Sequence, residues 1–440
     1  MSSIKRVFKV FSVVEYKNIE SYLEEMALKG WLFKEIKSLL FTFERVEPVK
    51  LKFNVVVLNG KDAFDYHDSE TENTLKEFCE DSGWIHCAET PMYQIFYTDK
   101  GNDIVKIHTD EHEEYNYIKK TTFKSEWYVL PILLIMIYSA FNNIERFKYD
   151  LIFSNSELVT FVLPFVAVIL FSNLLFTNVI WLTKNRINLY LGKPLTHFSN
   201  TFIKFKYKVY YLLMFIYFLL TVTLFANIFA RGSGAAIPIF LILLLPSIAA
   251  ILMIKRFKKV KKSRRSNIIM YIGVSVLVCI ISIGMGTFSA LSMSYGDFEE
   301  GLATDQVLEF SDFGEYKVVN NHIRKKSSIF TPVYLEYYES VRDKNSDIDH
   351  IETTYIECRN QKVVDYVVEN ILLDFKRYNP HSAYIPLSKE VWSIDQGYYL
   401  SDNKSSLLLV KGNRMMILRS DMDFEDIRMI DICKAKLDLD

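Results

Sequence analysis

Five stretches of the chain run apolar without a single Asp, Glu, Lys, Arg or His: Trp127–Ile144, Leu158–Thr183, Val209–Ala230, Ala235–Ile254 and Ile268–Leu291. A helix rises about 1.5 Å per residue, so about 20 such residues cross roughly 30 Å of hydrocarbon. The pattern therefore predicts five membrane-spanning helices in the middle of the chain. The third and fourth are joined by Arg231-Gly-Ser-Gly234, a connection short enough to be a helical hairpin. On either side the pattern changes to periods of two and of three to four, the marks of folded domains.

Before the first span, residues 1–124 contain two similar halves. In the first, an amphipathic helix with Tyr22, Leu23 and Met26 on its apolar face runs into Lys29-Gly30-Trp31. Strand-like runs Leu32–Ser38 and Leu39–Val46 follow. In the second, Leu75, Phe78 and Cys79 lead into Ser82-Gly83-Trp84, then Ile85–Glu89 and Met92–Thr98. Setting Gly30 on Gly83 also sets Leu32 on Ile85 and Phe43 on Phe96. With Arg6–Val13 and Leu51–Leu58 as leading strands, this predicts a repeated βαββ unit with a core of its own. Gly ends each helix in the left-handed conformation, and Trp31 and Trp84 are expected to anchor the outgoing strands in that core.

After the last span, residues 295–440 predict a second α+β domain. Val364, Val367, Val368, Ile371, Leu372 and Phe375 share one face of a helix over Val363–Tyr378. Gly412-Asn413 sits between the apolar runs Ser406–Val410 and Met415–Arg419, a hairpin signature. A final helix is expected from just after Asp421 or Asp423 to about Leu437. The fold class is thus a multi-pass α-helical membrane protein with two soluble α+β domains.

Charge gives the orientation. The net charge of −1 conceals an uneven distribution, since Tyr295–Asp440 holds 27 acidic and 18 basic residues. Lys119, Lys120 and Lys124 precede the first span, and Lys184, Arg186, Lys193, Lys204, Lys206 and Lys208 lie between the second and third. Eight more Lys and Arg fill 255–265. Because Lys and Arg accumulate in cytoplasmic loops, the N-terminal domain is expected in the cytoplasm and the C-terminal domain outside a cell membrane. The basic 255–265 loop is read as a topology signal, not as a nucleic-acid or lipid site. It is tethered at both ends and poorly placed to follow a duplex.

Tyr22-Leu-Glu-Glu-Met-Ala-Leu-Lys-Gly-Trp31, Phe41-Thr-Phe-Glu44, Glu47-Pro48, Phe78-Cys-Glu-Asp-Ser-Gly-Trp84, Tyr93-Gln-Ile-Phe-Tyr97 and Ile107-His-Thr-Asp110 resemble the family called domain of unknown function 2812. The resemblance covers about residues 6–124. It departs at Met92-Tyr93, where the family usually carries Gly-Trp. It implies a membrane protein of low-GC Gram-positive bacteria, often encoded near a PadR-like transcriptional regulator, which is the cytosolic partner it suggests. It implies no activity.

Candidate chemistry is sparse. His108 and His112 stand four apart among Asp110, Glu111 and Glu114, as a metal site would require. The alternative is that Thr109 or Asp110 caps a helix with an acidic first turn, leaving His108 outside it, and this reading is preferred. Cys358 and Cys433 fall in the domain expected outside the cell, but Gram-positive envelope proteins use few disulfides, so free thiols are expected. Asn173, Asn178 and Asn227 read as hydrogen-bonding partners between helices, and Pro131, Pro164, Pro238 and Pro246 as kinks. No Walker A, HExxH, GxSxG or Rossmann glycine pattern occurs. Accordingly no catalytic, cofactor-binding or metal-ligating residue is assigned, and no small-molecule ligand or direct nucleic-acid contact is indicated. Two functions suit this architecture: a non-enzymatic transmembrane regulator or sensor with a cytosolic protein partner, or an accessory or scaffold subunit of an envelope or transport complex.

Overall fold

The computed structural model describes residues 3–37, 40–59, 69–90, 92–100, 110–145, 147–230, 265–274, 305–342, 348–379, 383–401, 404–420 and 424–438, with Ile104, Ile107, Ile248, Leu252 and Met422. Helices and sheets are mixed, and the chain divides into two compact units. The first includes Met1–Asn142 and Leu163–Leu220; the second includes Asn143–Val162 and the described part of Met285–Asp440.

In the first unit, β1 (Ile4–Phe8), α1 (Tyr16–Leu28), β2 (Trp31–Lys37) and β3 (Leu40–Arg45) precede β4 (Lys52–Val57), α2 (Ser69–Asp81), β5 (Ile85–Glu89) and β6 (Tyr93–Thr98). Each half forms a three-stranded antiparallel sheet, ordered β1-β3-β2 and β4-β6-β5. Both second strands carry a bulge, between Phe33 and Glu35 and between His86 and Ala88. Tyr16, Ile19, Leu23, Met26 and Ala27 of α1 are buried at helical spacing. The helix stops at Gly30, whose φ of +77° needs a residue without a Cβ; an added Cβ would also lie 2.7 Å from the Val46 carbonyl. The expected leading strand Arg6–Val13 is shorter than predicted. It ends at Phe8, and Val13–Glu15 turn into a 3₁₀ helix that buries Val13 and Val14.

The two tryptophans part company. Trp84 is 2% exposed and packs with Val56, Cys79 and Phe96. Trp31 is only half-buried, with the Lys5 ammonium 5.2 Å and the Arg45 guanidinium 5.0 Å from its ring. Its anchoring role is therefore partly a cation–π contact at the sheet edge.

The N-terminal core does not close on residues 1–124 alone. Trp181 and Leu182 belong to it, and Leu189, Leu195 and Phe198 pack against it. They come from α5 (Asn155–Tyr190) and the segment that follows. This departs from the sequence expectation of a self-contained domain.

α3 (Glu111–Ser125) and α4 (Val129–Glu145) meet at a 51° bend, and α6 (Asn200–Ala230) follows α5. Among the described residues, α5 and the Asn200–Leu224 part of α6 are long and apolar enough to cross a membrane, and α3 with α4 makes a third if the bent pair is one span. These helices contain the first three stretches expected from sequence, except for Trp127 and Tyr128 at the bend. Most of the fourth and fifth, Ala235–Ile254 and Ile268–Leu291, and all of the 255–265 loop but Arg265 lie outside the described residues.

The second unit is built on seven antiparallel strands: β7 (Lys317–Lys326), β8 (Val333–Arg342), β9 (Ile348–Glu357), β10 (Ile385–Pro386), β11 (Gln396–Tyr399), β12 (Ser406–Lys411) and β13 (Arg414–Ser420), in the order β10-β11-β12-β13-β9-β8-β7. Helix α7 (Gln361–Tyr378) packs with Leu408, Val410 and Met415. After the short α8 (Lys389–Trp392), the final helix α9 (Ile427–Asp438) packs with Leu407, Leu409, Met416 and Leu418. Helices on both faces explain why β12 reads as an unbroken apolar run. Gly412, at φ +54°, makes the expected two-residue turn. Cys358 and Cys433 are both free thiols, one in each of the two cores.

Candidate functional site: a buried polar junction

The most heavily buried polar cluster of the first unit starts at Ser12-Val-Val-Glu15. Ser12 N–H donates to Glu15 Oε2 at 3.0 Å and Glu15 N–H to the Ser12 carbonyl at 2.9 Å, so the turn closes on itself. Glu15 is fully buried, yet it projects toward α6. Lys206 Nζ donates to Glu15 Oε1 at 2.7 Å, and the Tyr207 hydroxyl to Glu15 Oε2 at 2.5 Å. Lys206 is itself 4% exposed and donates also to Thr177 Oγ1 of α5 at 2.8 Å. A carboxylate and an ammonium removed from water this completely persist only as a hydrogen-bonded pair.

A second carboxylate completes the cluster. Glu126 sits in the bend between α3 and α4 and accepts from Val13 N–H at 2.6 Å and from Ser12 Oγ at 2.8 Å. Asn178 of α5 donates to the same carboxylate, and its carbonyl oxygen lies against the Ser12 hydroxyl. Burial pushes the Glu126 carboxyl above its usual range, against the pull of hydrogen bonds from Val13, Asn178 and Ser12, while the nearby Glu15 charge pushes the same way as burial. The Lys206 ammonium bonds Glu15, while Glu126 accepts from the neutral donors Val13, Ser12 and Asn178.

Around this polar centre the contacts are aromatic. Tyr115 of α3 stacks on Trp181 at 5.8 Å and its hydroxyl donates to the Leu182 carbonyl at 3.2 Å. Tyr16 donates to Glu114 at 2.7 Å, and Asn18 to Asn200 Oδ1 at 2.7 Å. Three helices and the N-terminal domain are therefore joined through one turn. What this arrangement can do is fix one seating of the domain on the helices.

The second unit has its own attachment to α5. The segment Tyr149–Phe153, between α4 and α5, packs against the sheet: Phe153 stacks on Tyr334 at 4.8 Å. Ser328 Oγ and Thr331 Oγ1 both donate to the Ile152 carbonyl, the latter at 3.2 Å. In the first turn of α5, Asn155 Oδ1 accepts from Ile329 N–H at 3.0 Å and Glu157 pairs with Lys326 at 2.9 Å. Beside these contacts lies a polar cavity of about 230 Å³ lined by Tyr149, Asp150, Glu336, Glu352 and Arg419.

Of the residues singled out from sequence, Asp110 is the cap of α3, accepting from the amides of His112 at 2.8 Å and Glu113 at 3.3 Å. His112 lies in the acidic first turn, and His108 lies outside the described residues. Asn178 is a bonding partner, as expected, though to Glu126 and Ser12. Pro164 lies inside α5. The sequence reading missed Glu15, Glu126 and Lys206. Ser12-x-x-Glu15 is a capping pattern that could have marked the first, whereas nothing distinguishes Lys206 from Lys204 and Lys208 on either side.

No curated protein matches the chain, and no solved structure does. One family model, described as protein of unknown function (DUF2812), matches residues 15–132. The match takes in Glu15 and Glu126 and stops short of Asn178, Lys206 and Tyr207, so it holds one side of the junction. Residues 15–132, about a quarter of the chain, are thus the part that is similar to the domain of unknown function 2812 family.

Proposed function

We propose that this protein is a non-enzymatic membrane regulator in which the C-terminal domain meets an external state and the N-terminal domain holds or releases a cytosolic protein. The observation that carries the reading is that one helix, α5, serves both domains. Its first turn is bound through Asn155 and Glu157 to the C-terminal sheet domain, and its Thr177–Leu182 stretch is built into the N-terminal core and polar junction. A displacement of α5 would be felt at both attachments without a diffusible messenger. The polar cavity beside Tyr149 is where a signal would bear on the α4–α5 connection.

Five spans, a cytoplasmic N-terminus and an extracytoplasmic C-terminus belong to the same proposal, on the strength of the Lys and Arg distribution. So does duplication of a βαββ unit in the N-terminal domain. The two sheets share one strand order, and the bulges of β2 and β5 fall at the offset that sets Gly30 on Gly83. The resemblance suggests a PadR-like regulator as the partner.

Coupling must appear as a free-energy difference between sites. The test is hydrogen exchange on the full chain in lipid nanodiscs, comparing wild type with Phe153→Ala, which loosens the C-terminal attachment. Faster exchange of the amides around Ser12–Tyr16 is expected, together with altered transcription of neighbouring genes. Exchange at Ser12–Tyr16 that stays at the wild-type rate would remove the regulator reading and leave the scaffold alternative.

A further inference from the structure

A cavity of about 300 Å³ opens between α1 and the first three turns of α6. Lys9, Tyr22, Glu25, Lys204, Lys208 and Tyr211 line it, three ammonium groups against one carboxylate. That carboxylate is already engaged: Glu25 accepts from Lys29 at 2.7 Å and from Lys204 at 2.8 Å, which hold it down to about 2. Lys9 lies over the Tyr22 ring at 5.3 Å, and burial together with the nearby Lys204 charge lowers its pKa. Lys208 makes no ion pair among the described residues. Lys206, between Lys204 and Lys208 in sequence, is by contrast turned away to Glu15 and Thr177, which both accept from it. Positive charge is thus concentrated in a partly enclosed space without the anions to balance it.

The continuation of α6 suggests what supplies them. Tyr210 and Tyr211 follow the lysines, then Leu212, Phe215 and Phe218 stand 58%, 57% and 61% exposed. Lysines, then tyrosines, then bare apolar side chains is the order met on passing from water through headgroups into hydrocarbon. We propose that the cavity lined by Lys9, Lys204, Lys208, Tyr22 and Tyr211 binds a phosphate ester, the headgroup phosphate of an anionic lipid being the source that the adjoining apolar face favours. The phosphate lies between the Lys9, Lys204 and Lys208 ammoniums and accepts from them, while the cavity has room for a glycerol-sized substituent. The inference stands apart from the regulator reading, since it needs only α6 in a membrane and α1 against it.

The test uses the full chain in non-ionic detergent, with thermal unfolding measured against four added probes: dioctanoyl phosphatidylglycerol, dioctanoyl phosphatidylcholine, glycerol 1-phosphate and inorganic phosphate. A saturable rise in Tm is expected with phosphatidylglycerol and not with phosphatidylcholine. The variant Lys9→Gln/Lys208→Gln should bind about tenfold more weakly, as when a charge-assisted hydrogen bond is lost. Lys119→Gln/Lys120→Gln, which removes the same charge elsewhere, should bind as wild type. A saturable rise with glycerol 1-phosphate or inorganic phosphate, lost in the cavity variant, also supports the site and makes a soluble phosphate its source. Equal effects of phosphatidylglycerol and phosphatidylcholine, no saturable effect of any phosphate probe, or equal loss in both double variants overturns it. Far-ultraviolet circular dichroism of each variant without probe separates lost binding from lost folding. If the cavity variant does not fold, Lys208→Gln alone is measured by the same criteria.

Discussion

Replacing Lys206 by Met tests the buried junction most directly. The substitution keeps the length and apolar stem of the side chain while removing its ammonium, which bonds Glu15 at 2.7 Å and Thr177 at 2.8 Å. Glu15 would stay buried with only Ser12 N–H and the Tyr207 hydroxyl as donors. Removing one partner of a buried pair costs about 3–5 kcal/mol, because the remaining charge is uncompensated. For a unit of this size that corresponds to a fall in Tm of about 6–20 °C. Unfolding of the full chain in detergent, followed by tryptophan fluorescence, would report it, since Trp181 shares the core. Glu15→Leu alone should be similarly harmful. The double variant Glu15→Leu/Lys206→Met should recover much of the loss, falling short by about 2 kcal/mol for the Ser12 amide and the Tyr207 hydroxyl, both left without their acceptor. Strict additivity of the two single changes, or a Lys206→Met protein within about 0.5 kcal/mol of wild type, would refute the claim that the pair acts as a unit.

Trp84→Ala should cost about 3–5 kcal/mol as a fully buried aromatic, whereas Trp31→Ala should cost about 1–2 kcal/mol because that ring is half-buried, both measured by thermal unfolding. Burial lifts the Glu20 carboxyl from 4.5 to about 7, against the pull of Lys17 and the Val55 amide. The folded state then holds this proton more tightly than the unfolded one. Its contribution to stability is full below pH 4.5 and lost as the pH rises through 7; Glu20→Gln should flatten that fall in a pH series of melting curves. In a chain freed of native cysteines, Lys50→Cys should be shielded from a membrane-impermeant thiol reagent in intact cells while Asn413→Cys reacts. Equal labelling would place both domains on one side. The isolated 1–124 fragment should unfold at lower temperature than the N-terminal unit of the full chain, because it lacks Trp181, Leu182 and Lys206.

Elements set by local pattern were legible in the sequence. The α1 and α7 faces, the left-handed glycines at 30 and 83, the 412–413 turn and the helices around the first three apolar stretches each follow from spacing or steric need within a few residues. The three long strands β7, β8 and β9 were not, because their lysines, tyrosines and glutamates alternate without a strong apolar signal and gain their order from pairing with one another and, through β9, with β13. The junction was hidden for a different reason. Glu15, Glu126, Asn178 and Lys206 are scattered from one end of the first unit to the other, and each looks like an ordinary cap, flank or loop charge in its own surroundings. Burial turns them into a site, and burial depends on which helix α1 meets. The sequence alone determined where chain could enter lipid and which way charge leans, since hydropathy and Lys/Arg bias act through local solvation. Only the tertiary structure decided that the N-terminal core borrows Trp181, that Trp31 stays half outside it, and that Lys206 rather than its neighbours is buried against Glu15, because these follow from packing between segments far apart in sequence.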